Sequence, residues 1–298
     1  MSKPIKFNQK SLIGVGFMLP AIIVVFFLVL YPIWMTIVLS FQKIKFFGIA
    51  TTTGASFTLK NYVKLFESSD FWHSLMITCL YTLIAVAVAF AIGLFTALML
   101  NQKFIGRRVA RVIILLVWPV PAVAVSLMFI WMFDASFGVI NYILRSMHLI
   151  TDNIAWLSTP VAAFAAVTTT TIWKSYPFFT LMLLAGLQAI PKELYEAANV
   201  DGANRLQQFK NITMPALRSV VTISLVLNGL WVFRNFDIIY VMTEGGPMRS
   251  TETLSVQLYQ EAFKYFHISY GSAIGVVSLI ICLFILVVAI PSLSKEFY

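Results

Sequence analysis

The sequence predicts an all-α integral membrane protein with six transmembrane helices and a cytoplasmic two-helix segment between the fourth and fifth helices. Of the 298 residues, 60% are hydrophobic and only 11% are charged, whereas a soluble domain carries roughly a quarter charged residues. Four stretches also lack Asp, Glu, Lys and Arg over more than the roughly 20 residues that a helix needs to cross a bilayer. These stretches are 11–42, 71–102, 112–133 and 268–294.

The charge-free stretches give four of the predicted helices, and two further apolar segments that carry single charges give the others. One segment contains Lys174, and the other contains Arg234 and Asp237. We therefore expect a single membrane domain over 12–291, between cytoplasmic tails 1–11 and 292–298. The predicted helices cover about 12–39, 73–100, 109–133, 159–187, 218–243 and 271–291.

The distribution of charge predicts the orientation in the membrane. With both termini inside, the inner segments carry twelve basic and four acidic residues, and the outer loops carry seven of each. Basic residues accumulate on the cytoplasmic side of membrane proteins. This distribution explains the net charge of +9, so the charge does not indicate a nucleic-acid partner.

The inner segment 190–215 is predicted to contain two short helices. Pro191 suits the first position of a helix, and the dipole favours acids such as Glu193 in its first turn. Gly202 can end this helix. A second helix fits from Asn204 to about Ile212, where Pro215 limits it. The first helix presents a face of small residues with an acid at one end: Leu194, Ala197, Ala198 and Asp201.

This segment resembles the EAA motif of importer permeases of the ATP-binding-cassette class. The matching residues are Glu196-Ala197-Ala198, then Gly202, then Ile212-Thr213-Met214-Pro215, with Met214 in place of the usual leucine. In that class the segment is a coupling helix that docks in a cleft of the ATPase subunit. The resemblance implies that role for Glu196, Ala197, Ala198, Asp201 and Gly202.

A second resemblance points to the carbohydrate permeases of the maltose-transporter type. It consists of FDIIYVMTEGGP from Phe236 to Pro247, followed by Ser250-Thr251, and of Trp173 with Pro177-Phe178 upstream. The resemblance covers nearly the whole chain and implies a bacterial or archaeal cytoplasmic membrane. It also implies a second homologous permease, two ATPase subunits and an extracytoplasmic solute-binding protein.

The sequence contains no G-x-x-x-x-G-K-[ST] phosphate-binding loop. We therefore expect no enzymatic activity, metal or cofactor in this chain, with ATP and magnesium bound by a partner. The three histidines, His73, His148 and His267, are scattered and form no ligand cluster, which leaves an intramembrane enzyme without support.

Charges within hydrocarbon are costly and mark candidate functional sites. Arg234 and Asp237 are three residues apart and can pair on one helical face. Lys174 can reach an interface or bond to Asp237. If Lys174 and Arg234 face the pathway instead, an anionic solute becomes more plausible.

Sugars are usually held by aromatic faces and hydrogen-bonding side chains. Asn228, Trp231 and Asn235 on predicted helix 5 have this character. The resemblance to maltose-type permeases implies that they line the solute cavity, together with residues of predicted helix 4. Those residues are Thr171, Lys174, Ser175 and Phe178.

The prediction is thus a permease subunit that forms the pathway for a sugar or sugar-derived solute. The alternatives are an importer permease for a non-sugar or anionic solute, and a secondary transporter that couples ions through Lys174 and Asp237. A disaccharide, oligosaccharide, uronate, polyol or sugar phosphate all fit the sequence.

Overall fold

A computed structural model describes residues 18–43 and 56–293, with side chains up to residue 290. The predicted tail 1–11, the start of predicted helix 1 and residues 294–298 lie outside this part, as do residues 44–55 between the first two predicted helices. Within it, every regular element is a helix.

Twelve helices are distinguished in the described ranges. Three of them contain π turns, at Phe26–Leu30, Phe209–Thr213 and Gln260–Lys264. The helices are α1 (Met18–Ser40), α2 (Lys60–Glu67), α3 (Ser69–Asn101), α4 (Arg107–Leu116), α5 (Ala122–Met132), α6 (Val139–Ser146), α7 (Pro160–Ala189), α8 (Lys192–Val200), α9 (Arg205–Gln208 with Phe209–Thr213 and Met214–Phe233), α10 (Asp237–Thr243), α11 (Leu254–Tyr259 with Gln260–Lys264) and α12 (Ile268–Leu293).

Four of the described stretches are long and apolar enough to cross a membrane: Met18–Ser40, Ser69–Asn101, Arg205–Thr243 and Ile268–Ile290. Helix α7 has the length but is less apolar, because it contains four consecutive threonines and Lys174. Many large apolar side chains of α1, α3 and α12 are exposed. Their exposure follows from lipid as the solvent, since apolar side chains on the outside of a bundle meet hydrocarbon rather than water.

The chain divides into two compact units, 1–67 with 258–277 and 68–257 with 278–298. In the second unit α3 packs along α7 at very close range: a Cβ added to Gly93 would collide with Phe179. Thr96 and Thr180 share a hydrogen bond of 2.5 Å between their hydroxyls across this contact. Small residues and threonines at such a contact are typical of helix pairs in membranes.

In the first unit, the start of α2 is tied to the end of α1. The Asn61 amide donates to the carbonyl oxygens of Ser40 and Gln42, at 2.8 Å each. The hydroxyls of Ser40 and Tyr62 lie 2.7 Å apart. Helix α2 was predicted as part of an outer loop, and α6 and α11 likewise lie in stretches predicted as loops. Each is shorter than the roughly 20 apolar residues by which a membrane span is recognised.

The prediction of one continuous helix over 109–133 is wrong. Helix α4 ends at Leu116 and α5 begins at Ala122. Pro119 and Pro121 lie in the gap. Each proline lacks a backbone N–H and pushes the preceding residue towards an extended conformation, so the helix cannot continue through the pair.

Two other predicted boundaries also differ. Pro215 does not limit a short second helix, because α9 runs without a gap from Arg205 to Phe233 and widens into the π turn Phe209–Thr213 just before the proline. A π turn is one of the usual ways in which a helix accommodates a residue, such as proline, that interrupts its hydrogen bonds. Predicted helix 5 is in turn broken at 234–236, between α9 and α10.

Candidate functional site

A cavity of about 210 Å³ lies in the second unit, between α7, the end of α9 and the gap that separates α4 from α5. All seven predicted solute-contacting residues line it: Thr171, Lys174, Ser175, Phe178, Asn228, Trp231 and Asn235. The remaining lining residues are Trp118, Ala122, Val232 and Ile238. Residues from distant parts of the sequence therefore form one polar and aromatic concavity.

Aromatic side chains form one wall of the cavity. The rings of Phe178 and Trp231 meet edge to face with centroids 5.0 Å apart. Trp118 lies on the other side of Phe178, at 6.4 Å between ring centroids. Phe178 is buried, whereas Trp231 is 50% exposed. The buried ring fixes the position of the exposed indole, which can present a face to a ligand.

Hydrogen-bonding side chains also line the cavity, among them Thr171 and Asn235. The Asn235 amide nitrogen donates to the hydroxyl of Tyr81 at 2.8 Å and is 3.5 Å from the hydroxyl of Thr171. The hydroxyls of Tyr81 and Thr171 are 2.6 Å apart. Tyr81 and Thr171 are both buried. This triad of Tyr81, Thr171 and Asn235 joins α3, α7 and the break after α9.

Asn228 is buried one helical turn before Trp231. Its Oδ1 is inaccessible and has no hydrogen-bond partner in the described part of the chain. A buried acceptor without a donor is unfavourable by about 1–3 kcal/mol. Because the oxygen is inaccessible, a donor in the cavity reaches it only after the Asn228 side chain rotates.

Lys174 donates to the backbone rather than to a carboxylate. Its Nζ lies 2.5 Å from the carbonyl oxygen of Val120 and 3.4 Å from that of Trp118. These carbonyls belong to the proline-interrupted gap, where helical N–H partners are missing. Lys174 thus holds the gap 117–121 against α7. Of the two alternatives for Lys174, an interface or a bond to Asp237, the bond to Asp237 is not formed, because the carbonyls of the gap accept from the ammonium group.

Arg234 and Asp237 do not line the cavity, and both are exposed. The described residues include no ion pair between them. The proposed pairing assumed a continuous helix, in which positions three apart lie on one face. The break at 234–236 removes that geometry.

Tyr81 and the gap residue Trp118 were not predicted from the sequence as site residues. The spacing Pro119-Val120-Pro121 within an apolar run is a signal that could have located the gap. Tyr81 had no such signal, since one tyrosine in a long apolar helix is most often a packing residue.

The predicted coupling residues lie on an exposed helical hairpin of α8 and the start of α9. Helix α8 ends with Gly202 in the left-handed region at φ 76°, and the Ala203 N–H donates to the carbonyl of Ala198 at 2.8 Å. The next helix begins with a capping box: the Gln207 N–H donates to Asn204 Oδ1 at 2.9 Å, and the Asn204 N–H donates to Gln207 Oε1 at 2.7 Å. The free backbone groups at the end of α8 and at the start of α9 therefore find hydrogen-bond partners within the hairpin.

Side-chain hydrogen bonds fix the angle of this hairpin. The Gln208 amide donates to Asn199 Oδ1 at 2.6 Å, and the hydroxyls of Tyr195 and Thr213 lie 2.9 Å apart. Glu196, Ala197, Asp201 and Gly202 are exposed, and Ala198 is half-buried. Val200 and Leu206 are 89% and 74% exposed. The hairpin is thus rigid and presents apolar and acidic side chains outwards.

Comparison with known proteins identifies the family. The family described as "Binding-protein-dependent transport system inner membrane component" matches residues 89–295. The chain belongs to this family. It is a multi-pass membrane protein and the permease subunit of a binding-protein-dependent transport system.

Relatives of this permease carry names of sugar transporters. It is 35% identical over 287 residues to the trehalose/maltose transport system permease protein MalF of Thermococcus litoralis, covering 95% of this chain and 94% of that protein. It is 37% identical over 269 residues to the sulfoquinovosyl glycerol transport system permease protein SmoG of Agrobacterium fabrum, covering 89% and 85%.

Among solved structures, the permease resembles a chain of a bacterial alginate ABC transporter in complex with an alginate pentasaccharide-bound periplasmic protein. The TM-score is 0.81 at 22% identity, over 94% of this chain and 93% of that one. At this identity the likeness establishes the fold. The predicted recognition of an ABC-importer permease of the carbohydrate type is confirmed by the family and its relatives.

Proposed function

We propose that this permease forms, with a second homologous permease, the translocation pathway of an ATP-driven importer for a sugar or sugar-derived solute. The observation that carries the proposal is the cavity in which Trp231 and Phe178 face Asn228, Asn235 and Thr171. Aromatic rings pack against the C–H faces of pyranoses, and amides and hydroxyls pair with their ring hydroxyls. The names of the trehalose/maltose and sulfoquinovosyl glycerol relatives support the same class of solute.

The electrostatics of the cavity favour a neutral solute. Lys174 is the one charged side chain among the described lining residues, and two backbone carbonyls already accept hydrogen bonds from it. An ammonium group has three donors, so an anionic sugar remains the alternative cargo. The other polar lining residues, among them Asn235 and Thr171, offer uncharged hydrogen-bonding groups, which suit sugar hydroxyls.

The size of the cavity favours a solute site that is shared with a second permease. Its volume of about 210 Å³ is below the roughly 300–1,000 Å³ typical of complete ligand pockets. Trp231 is also half exposed at its edge. A second permease facing this side would complete the enclosure.

The proposed topology has six crossings with both termini in the cytoplasm and a single membrane domain over 12–291. Helices α4 and α5 together form one crossing, and the less apolar α7 forms another. The hairpin of α8 and α9 is the coupling segment, in which Glu196, Ala197, Ala198, Asp201 and Gly202 contact an ATPase subunit. Two such subunits bind ATP and magnesium, and a solute-binding protein delivers cargo from outside.

Transport by proteoliposomes tests the proposal. The chain is purified in mild detergent with its copurifying subunits and reconstituted with the solute-binding protein, and uptake of labelled neutral sugars, uronates and polyols is measured with and without internal ATP. We expect ATP-dependent uptake of a sugar that Trp231→Ala weakens about tenfold or more. Trp131→Ala is the matched control, since Trp131 is 72% exposed and does not line the cavity.

Two outcomes would contradict the proposal. Uptake driven by an ion gradient without ATP or an ATPase partner would favour the secondary-transporter alternative. Equal effects of the two tryptophan substitutions would remove the cavity from the pathway.

A further inference from the structure

Four basic side chains lie within nine residues around the start of α4: Lys103, Arg107, Arg108 and Arg111. The sequence has no Asp or Glu between Asp70 and Asp134. In the part of the chain that the structure describes, none of the four pairs with a carboxylate. Lys103 and Arg108 are exposed to solvent, so the cluster offers positive charge to an anion at this end of α4.

Arg111 extends from this cluster to a second cavity, of about 200 Å³. Its Nη2 donates to the carbonyl oxygen of Leu100 at 3.2 Å. Its Nε is inaccessible and has no hydrogen-bond partner among the described residues. Because this Nε is inaccessible, an anion in the cavity would bond to the other N–H groups of Arg111, which lines the cavity.

The lining of this cavity is mainly aliphatic. Besides Arg111, Thr180 and Gln188, it consists of Leu100, Ile114, Leu115, Leu181, Leu184 and Ala185. On the outer face of α4, Val109, Val112, Ile113 and Leu116 are exposed. Such an exposed apolar face is expected for a helix that contacts lipid. The basic residues match the charged headgroup of a lipid, and the apolar cavity matches its acyl chain.

We propose that this cavity binds one anionic phospholipid. The phosphate bonds to Arg111, and the neighbouring basic residues Lys103, Arg107 and Arg108 add electrostatic attraction. The upper part of an acyl chain fills the aliphatic cavity. Basic pockets between transmembrane helices are suited to anionic headgroups, and arginine bonds to phosphate through two donors at once. The aliphatic lining favours a lipid over soluble phosphate, which would gain nothing from it.

This site is separate from the solute cavity and does not depend on the identity of the solute. A lipid bound at the start of α4 would make the position of this helix depend on the lipid composition of the membrane. Helix α4 leads directly into the Val117–Pro121 gap.

Native mass spectrometry of the full-length chain with its copurifying subunits tests the proposal. Delipidated protein is titrated with phosphatidylglycerol, with phosphatidylcholine, and with phosphatidylglycerol in the presence of excess inorganic phosphate. We expect one tightly bound phosphatidylglycerol that neither phosphatidylcholine nor phosphate replaces. Arg111→Gln should weaken its binding by about fivefold or more, because one basic residue near an anionic lipid contributes about that factor.

The control is Arg145→Gln, which removes the same charge from another part of the chain and should leave lipid binding unchanged. Ala185→Phe fills the cavity with the charges intact and should also weaken binding, so the proposal can still be tested if Arg111→Gln fails to fold. Equal effects of the two arginine substitutions, equal binding of phosphatidylcholine, or displacement by inorganic phosphate would overturn it.

Discussion

The amide nitrogen of Asn235 donates a hydrogen bond to the hydroxyl of Tyr81 across 2.8 Å. The two residues are 154 positions apart and meet at the edge of the solute cavity. Tyr81 is buried and shares a second hydrogen bond with Thr171. If the proposed function holds, Tyr81 is a positioning residue that orients Asn235 without lining the cavity itself.

Replacing Tyr81 by phenylalanine should weaken solute binding. The change removes one hydroxyl and leaves the Asn235 amide and the Thr171 hydroxyl without that partner, a cost of about 1–3 kcal/mol. We expect the half-saturating solute concentration for uptake to rise about fivefold or more. Tyr142→Phe is the control, because Tyr142 is 72% exposed. An unchanged half-saturating concentration in a normally inserted Tyr81→Phe protein would show that the triad has no positioning role.

Lys174→Met should loosen the gap between α4 and α5. The substitution removes the donor to the Val120 and Trp118 carbonyls and retains most of the side-chain volume. We expect faster amide exchange at Trp118 and Val120, and an equal fractional loss of uptake for neutral and anionic solutes. Lys60→Met, at an exposed lysine of α2, should change neither quantity. A selective loss of anionic solutes would mean instead that Lys174 contacts the cargo.

Substitutions in the coupling hairpin should separate ATP hydrolysis from uptake. Glu196→Lys reverses an exposed charge, and Gly202→Asp adds a side chain at φ 76°, where a non-glycine residue costs about 1 kcal/mol or more. Both sites are exposed, so insertion should be normal while ATPase activity no longer drives transport. ATPase and uptake rates of the same proteoliposomes measure this, with the exposed Lys192→Ala as control. Normal uptake in either variant would count against the docking role.

The stability of the loop after α10 should depend on Arg249 throughout the physiological pH range. Arg249 donates to both oxygens of Glu252 at 2.7 and 2.9 Å and forms an ion pair with Asp70. The hydrogen bond to Glu252 raises the pKa of Arg249 further above its ordinary value. A raised pKa contributes stability below the unfolded-state pKa, which for arginine lies far above neutral pH. That contribution is therefore fully present at neutral and mildly acidic pH.

Although the Arg249 side chain is 36% exposed, which reduces the effect, Arg249→Met should accordingly lower the free energy of unfolding at pH 7 by about 1–3 kcal/mol. The reason is that the Glu252 side chain is only 6% exposed and would keep an unpaired charge. Thermal unfolding in detergent measures the change. Adding Glu252→Gln should restore part of the loss, because it removes the unpaired charge. No recovery in the double variant would argue against this account.

The sequence by itself determined the membrane class, the family and most of the residues around the cavity. Charge-free runs depend only on the cost of charge in lipid, so the starts and ends of α3 and α12 could be predicted closely. The EAA motif and the pattern of Trp231 and Asn235 are local and could likewise be recognised without coordinates.

Only the tertiary structure decided where the helices break and which groups the polar side chains bind. At the Val117–Pro121 gap, Lys174 satisfies two freed backbone carbonyls. At the break 234–236, the Asn235 side chain bonds to the Tyr81 hydroxyl. These partners lie more than fifty residues away in sequence, and a periodic pattern carries no information about contacts at that separation.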